Sequence, residues 1–389
     1  QQPIALYPDS LGYIFSGSVV ADLHNSSGFG KDGTIPLVAI FTHHDPKGEK
    51  EGRMDYQNQS IAYSLVEGGS WTKYEKNPVL KNPGIKDFRD PKVSWYEKGK
   101  KWIMTLATLD RISFYTSTDL KQWNKASEFG KQMGSHGGVW ECPDLFPMND
   151  NGKTIWVLLV SINPGGPQGG SATQYFIGDF DGKTFTTSQT VTRWVDAGTD
   201  DYAGVTWSNT GNRRIFLGWM SNWQYAQVVP TGHWRSAMTI PRELSLININ
   251  GLHYLRSFPV KELSVMEEPG TKEYNLAGAN KKLTGPARLQ FNCHTMEDFS
   301  VVLSNTKGEK FIAGYDKNSD SYFIDRTASG KKDFEKGFAG KVVSKRVSVD
   351  MGTDVTLIID DASVELFADK GATTMSSIFF PTETYGLLN

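Results

Sequence analysis

Two stretches set the architecture: Phe114-Tyr115-Thr116-Ser117-Thr118-Asp119-Leu120, followed by Trp123, and Tyr175-Phe176-Ile177-Gly178-Asp179-Phe180-Asp181-Gly182, followed by Phe185. Each reads as a strand, an acidic or glycine turn, and then an aromatic. The run Ile61-Ala62-Tyr63-Ser64 leads through a turn to Trp71 in the same way. Short apolar runs also stand at 35–42, 102–107, 155–160, 214–220 and 354–359, and helical periodicity is nearly absent. This predicts an all-β chain. A four-stranded unit recurring about every 50–60 residues is the pattern of a β-propeller.

A propeller's first strands line its axis, and in this chain each unit opens on an acidic entry. These are Phe88-Arg89-Asp90-Pro91-Lys92, Trp140-Glu141-Cys142-Pro143-Asp144 and Thr199-Asp200-Asp201-Tyr202-Ala203. The spacing therefore predicts that Asp90, Glu141 and Asp200 converge, with Asp201 the competing choice for the last. Trp140 offers Glu141 an apolar wall, which would raise its pKa towards that of a general acid. Arg89 would keep Asp90 ionised. A carboxyl pushed towards neutrality beside one held charged is the division of labour of a glycosidase.

Beyond Leu246 the pattern changes. Residues 1–257 are expected to form the propeller domain, 258–271 a linker and 272–389 a β-sandwich with no chemical motif of its own. A net charge of -2 gives no reason to expect a nucleic-acid or anionic-membrane partner. Two cysteines, Cys142 and Cys293, fit neither a disulfide framework nor zinc spacing. Neither a signal peptide nor an apolar run of about 18 residues is present. No cofactor or metal is expected. His43-His44-Asp45 reads as a solvated loop, Gly165–Gly170 as a flexible loop, and Met148-Asn149-Asp150-Asn151-Gly152 as a hairpin turn. Trp223, Tyr225 and Trp234 form either an aromatic rim or packing between blades.

At Trp140-Glu141-Cys142-Pro143-Asp144 and Phe88-Arg89-Asp90-Pro91-Lys92 the chain resembles glycoside hydrolase family 32, the invertases, inulinases, levanases and fructan exohydrolases. Tyr7-Pro8-Asp9 with Phe15-Ser16-Gly17-Ser18, Asp200-Asp201-Tyr202-Ala203, Gly218-Trp219-Met220, Ile324-Asp325-Arg326 and Ser363-Val364-Glu365-Leu366-Phe367 agree with it. The resemblance implies a five-bladed propeller followed by a β-sandwich, and retaining cleavage of β-fructofuranosyl linkages in levan, inulin or sucrose. Glu141 would be the acid/base and Asp90 the transition-state stabiliser. Phe15, Ser16, Arg89, Cys142, Asp200, Tyr202 and Trp219 would bind the sugar, with Cys142 a pocket wall rather than a nucleophile.

The family's nucleophilic aspartate belongs to a first-blade motif that this chain does not show, so the first blade is expected to be largely missing and the polypeptide inactive. The other readings are a fructan-binding propeller without catalysis and a related hydrolase acting on arabinosyl substrates. An exported protein, periplasmic, cell-surface or extracellular, is expected.

Overall fold

The computed structural model describes residues 3–268 and 281–389. The chain forms two compact units, Gln1–Ile162 with Tyr175–Arg193, and Asn163–Gln174 with Trp194–Asn389.

The first unit carries three antiparallel sheets. The first contains β1 (Tyr13–Ala21), β2 (Leu37–His44), β3 (Gln57–Ser64) and β4 (Thr72–Lys73), in that order. The second contains β5 (Phe88–Tyr96), β6 (Lys101–Thr108), β7 (Arg111–Ser117) and β8 (Asn124–Phe129). The third contains β9 (Val139–Asp150), β10 (Lys153–Asn163), β11 (Ala172–Phe180) and β12 (Phe185–Thr186), with β13 (Arg193–Trp194) beside β11.

The repeat is thereby explained. Tyr63, Tyr115 and Tyr175 all stand on third strands, and the aromatics that follow lie at or just before the short fourth strands. Val38, Ile40, Ile61, Phe88, Trp102, Met104 and Leu106 belong to one buried cluster. The turn after Asp150 is the hairpin its sequence predicts. Asn151 and Gly152 both have positive φ (52° and 87°), and the Gly152 amide donates to Asn149 Oδ1 at 3.1 Å.

His43 and His44 depart from expectation. Both are buried on β2, and only from Asp45 does the chain turn, capping a one-turn helix α1 (Pro46–Lys50).

The second unit holds a fourth sheet of β14 (Tyr202–Thr206), β15 (Arg214–Met220), β16 (Ala237–Met238), β17 (Arg242–Ile249) and β18 (Leu252–Pro259). A 3-10 turn follows at Lys261–Met266. The linker expected over 258–271 therefore begins inside β18, and Pro269 and Gly270 lie outside the described residues.

The remaining strands are β19 (Lys281–Lys282), β20 (Ala287–Cys293), β21 (Phe299–Ser304), β22 (Lys310–Asp316), β23 (Ser321–Ala328), β24 (Lys341–Lys345), β25 (Thr353–Asp360), β26 (Ser363–Ala368), β27 (Thr373–Ile378) and β28 (Leu387–Leu388). They form a six-stranded sheet ordered β19-β28-β21-β22-β23-β24 and a four-stranded sheet ordered β20-β25-β26-β27. Phe311, Tyr322, Ile324, Leu366 and Phe379 are among the buried residues of the core they enclose.

Two buried arginines fix the fourth sheet to this sandwich. Arg242, fully buried at the head of β17, donates to Glu365 Oε2 through Nε (3.0 Å), to Asp196 Oδ2 and Asp201 Oδ2 through Nη1 (3.0 and 3.1 Å), and to Ser376 Oγ through Nη2 (2.7 Å). Burial pushes the Asp201 carboxyl well above the usual range, against the attraction of Arg242. Arg326 on β23 donates to Asp200 Oδ2 at 3.0 Å and lies 4.0 Å over the Phe338 ring. The loop 165–170, expected to be flexible, is tied down within this unit. The Gly166 amide donates to Gly170 O, and the Ser171 amide to the Asn222 side chain.

Removing one partner of a buried charge network leaves the others uncompensated, at a cost of about 3–5 kcal/mol. Arg242→Met is therefore expected to destabilise the protein on that scale in urea unfolding, whereas Arg213→Ala at the exposed Arg213–Glu262 pair barely moves the midpoint. Equal midpoints for the two variants would contradict this reading of Arg242.

Candidate active site

The candidate residues stand where first strands break register. In β1 the pairing with β2 shifts between Ile14 and Gly17, the position of Phe15 and Ser16. In β5 it shifts between Arg89 and Lys92, and Asp90 takes a left-handed φ of 62°. In β9 Cys142 has φ 47°. In β14 the shift lies between Tyr202 and Val205, where Ala203 has φ 52°. Such bulges re-aim side chains, and left-handed non-glycine residues cost of order 1–2 kcal/mol each. Within the first unit the left-handed or bulged residues recur at the same point of the first strands of three sheets.

In the first unit the bulges bring β5 and β9 together. Arg89 donates through Nε and Nη2 to Glu141 Oε1 at 3.0 and 2.9 Å, and through Nη1 to Asp87 Oδ1 at 2.5 Å. Burial alone would lower the arginine's pKa, but the Glu141 and Asp87 carboxylates overcome this and raise it. The Cys142 amide donates to Asp90 Oδ2 at 3.0 Å. Two residues further along each strand, Lys92 Nζ meets the buried Asp144 carboxylate at 3.2 Å.

These contacts correct both electrostatic expectations. The Trp140 indole is no wall for Glu141. It is fully buried, stacks on His136 (5.3 Å between centroids), tilts against Phe176 and donates to Ser135 O. Successive side chains of a strand point to opposite faces, and the group against the Glu141 carboxylate is Arg89. Nor is Asp90 held firmly ionised. Burial pushes its carboxyl up, with Glu141 adding to the rise, while the Cys142 amide and Arg89 oppose it. The Cys142 thiol is driven well above its ordinary value by desolvation and then by the Asp90 and Glu141 carboxylates, which suits a wall rather than a nucleophile.

A buried polar platform on the first sheet holds this cluster. Thr42 Oγ1 accepts from the Asp90 amide at 3.2 Å and donates to Gln59 Oε1 at 2.7 Å. Gln59 Nε2 donates to Phe88 O at 2.8 Å, and Gln57 Oε1 accepts from the Phe88 amide at 2.8 Å. Sequence reasoning passed over Thr42, Gln57, Gln59 and Asp87. The available signal was two glutamines, two positions apart, entering a strand that continues as Ile61-Ala62.

Phe15 is exposed with its ring flat on the buried His44 imidazole, centroids 4.2 Å apart and planes 4° from parallel. Ser16 beside it is exposed. His43 Nδ1 lies 2.7 Å from Ser60 Oγ and its Nε2 3.4 Å from Asp9, while burial depresses its pKa.

In the second unit Asp200, expected to bind the sugar, is taken up by protein partners. It is fully buried, and its oxygens accept from Tyr225 Oη (2.6 Å), Thr199 Oγ1 (2.6 Å), Arg326 Nη1 (3.0 Å) and the Ile378 amide (3.1 Å). Asp201, the competing choice, is equally buried and pairs with Arg242. Tyr202 is buried edge-on to the half-buried Trp219, which tilts against the exposed Trp223. Tyr225 is core, and Trp223 and Trp234 are exposed. Among the described residues, no group of three or more His, Cys, Asp or Glu is placed to hold a metal ion. No helix of the described residues is long and apolar enough to cross a membrane.

Residues 1–258 match the profile of the glycosyl hydrolases family 32 N-terminal domain, and residues 262–388 that of the family 32 C terminal domain. The chain belongs to glycosyl hydrolase family 32. Its all-β fold is that of the family, a five-bladed β-propeller with a C-terminal β-sandwich, and the described residues supply four propeller-type sheets. The chain is 45% identical to the levanase of Bacillus subtilis over 97% of its own length, and spans 58% of that relative. It is 37% identical to the extracellular exo-inulinase of Aspergillus ficuum, over 98% of this chain and 79% of that one. Among solved structures, the exo-inulinase of Aspergillus awamori superposes with a TM-score of 0.83 at 33% identity, covering 100% of this chain and 83% of that chain. The fructofuranosidase of Schwanniomyces occidentalis complexed with fructose gives 0.85 at 31%, covering 99% and 81%.

The Asp90 shift carries a sign. A carboxyl whose pKa is raised on folding contributes stability in full below its unfolded value, about 3.9, and loses it as pH rises through the folded value. Asp90→Asn removes that loss while keeping an acceptor for the Cys142 amide. The variant should therefore melt above the parent at pH 7, with the gap closing towards pH 3.5. A pH-independent difference in thermal melts would contradict the buried-charge account.

Proposed function

We propose that this is a fructan-directed hydrolase of the retaining type, cleaving β-fructofuranosyl linkages in levan or inulin, with sucrose as the smallest substrate. The observation that carries it is the Arg89–Glu141 pair beside the Asp90–Cys142 contact, in a chain similar to a levanase and to exo-inulinases. Glu141 is the acid/base. Its side chain keeps 22% exposure, which admits a leaving-group oxygen, and Arg89 sets its direction. Asp90, buried and rigidly held, is placed to accept from sugar hydroxyls as charge develops at the anomeric centre. Phe15 gives the ring an apolar face.

The expectation of an inactive polypeptide gains no support from the relatives, which are named as a levanase and an exo-inulinase. The exo-inulinase is named as extracellular, which supports an exported protein.

In the active protein, Glu141→Ala should lower turnover on levan and inulin by about 10²–10⁴-fold. A fructosyl substrate whose leaving group needs no proton should suffer far less. Equal loss on both substrates would remove the acid role, and hydrolysis confined to arabinan would remove the fructan reading.

A further inference from the structure

The second unit contains a cavity of about 320 Å³ floored by Met220, Phe380 and the Trp234 indole, with Ser236, Asp360 and Asp361 also lining it. We propose that it is a second carbohydrate site, one that holds a sugar unit of a neutral polysaccharide. For the identity of that sugar, a fructosyl unit, the inference rests on the fructan reading above.

The lining itself selects the ligand class. No lysine, arginine or histidine is among the residues that line the cavity. A phosphate or uronate would meet two uncompensated carboxylates. A wholly apolar ligand would strip water from those carboxylates and return nothing. A neutral sugar meets both demands. Its C–H face lies on the indole, and its hydroxyls donate to Asp360 and Asp361. The volume is at the small end of the range for small-molecule sites, with the usual apolar floor and few polar groups.

The platform is built in advance. Trp234 is 50% exposed, yet its backbone is fixed. The Thr231 hydroxyl donates to Trp234 O, and Arg235 Nη1 donates to Val229 O at 3.4 Å. The indole is 6.5 Å from the Phe380 ring, at 44° to it. Ser236 at the lip holds φ 66°, a conformation rare for a non-glycine residue and typical of functional sites. Across the cavity, the Asp361 amide donates to Asp360 Oδ1 at 2.8 Å, which directs one carboxylate.

Affinity electrophoresis of the complete polypeptide in gels containing levan, inulin or arabinan tests this. The parent, Trp234→Ala, Asp361→Asn and Phe15→Ala are compared, with near-UV circular dichroism confirming that each is folded. Retardation by levan or inulin that weakens at least about fivefold in Trp234→Ala, the scale of a lost aromatic contact, and also weakens in Asp361→Asn, but persists in Phe15→Ala, supports the site. Retardation only by arabinan, with the same Trp234 dependence, supports the site and overturns the fructan identity. Unchanged retardation in Trp234→Ala, or no retardation of the parent in any gel, overturns the site. The Glu141 leaving-group comparison still judges the fructan reading separately.

Discussion

The guanidinium of Arg89, clamped between Asp87 on one side and Glu141 on the other, is the contact on which the candidate site of the first unit depends. It spans two sheets and turns a glutamate on β9 towards the bulge of β5. The bulge is itself strained, since Asp90 holds a left-handed φ. The surrounding structure must over-determine such a conformation for it to persist. Thr42, Gln57 and Gln59 do so by taking up the polar groups of residues 88 and 90. Burying this polar network is tolerable only because its members are paired.

The second unit uses the same chemistry to a different end. Arg242 and Arg326 also gather carboxylates, but there the charges are fully enclosed and every strong acceptor faces protein. Buried ion pairs of this kind add little net stability over an apolar packing of the same shape, and their strength lies in how much a mismatch costs. They therefore fix which sheet packs on which. Glu141 contrasts with them in keeping a fifth of its side chain in solvent, as the proposed acid/base role requires.

Much of this was legible beforehand. The strand, turn and aromatic repeat around Tyr115 and Tyr175 disclosed the sheets because third strands and short fourth strands recur with fixed spacing. Asp90 and Glu141 were placed together from strand position alone. What failed was charge environment. Adjacency in sequence made Arg89 seem the partner of Asp90, but a bulge rotates neighbouring side chains apart and sends the guanidinium to Glu141. Trp140 seemed a wall because it precedes Glu141, yet strand alternation sends it to the other face. Asp200 shared the pattern of the acidic entries, and its partners Tyr225 and Arg326 lie 25 and 126 residues away, beyond any local reading. His43 and His44 were misplaced because polar residues in a buried strand resemble a loop until their partners Ser60 and Gln57 are seen.

The central claim is that the Arg89–Asp90–Glu141 cluster is where a fructosyl unit sits. A crystal structure of the Glu141→Gln protein soaked with a short levan or inulin oligosaccharide tests it most directly. The account predicts electron density for a fructosyl ring whose hydroxyls lie within hydrogen-bond distance of the Asp90 carboxylate, with a glycosidic oxygen facing residue 141. A fructosyl ring bound elsewhere, with water alone against Asp90, would contradict it.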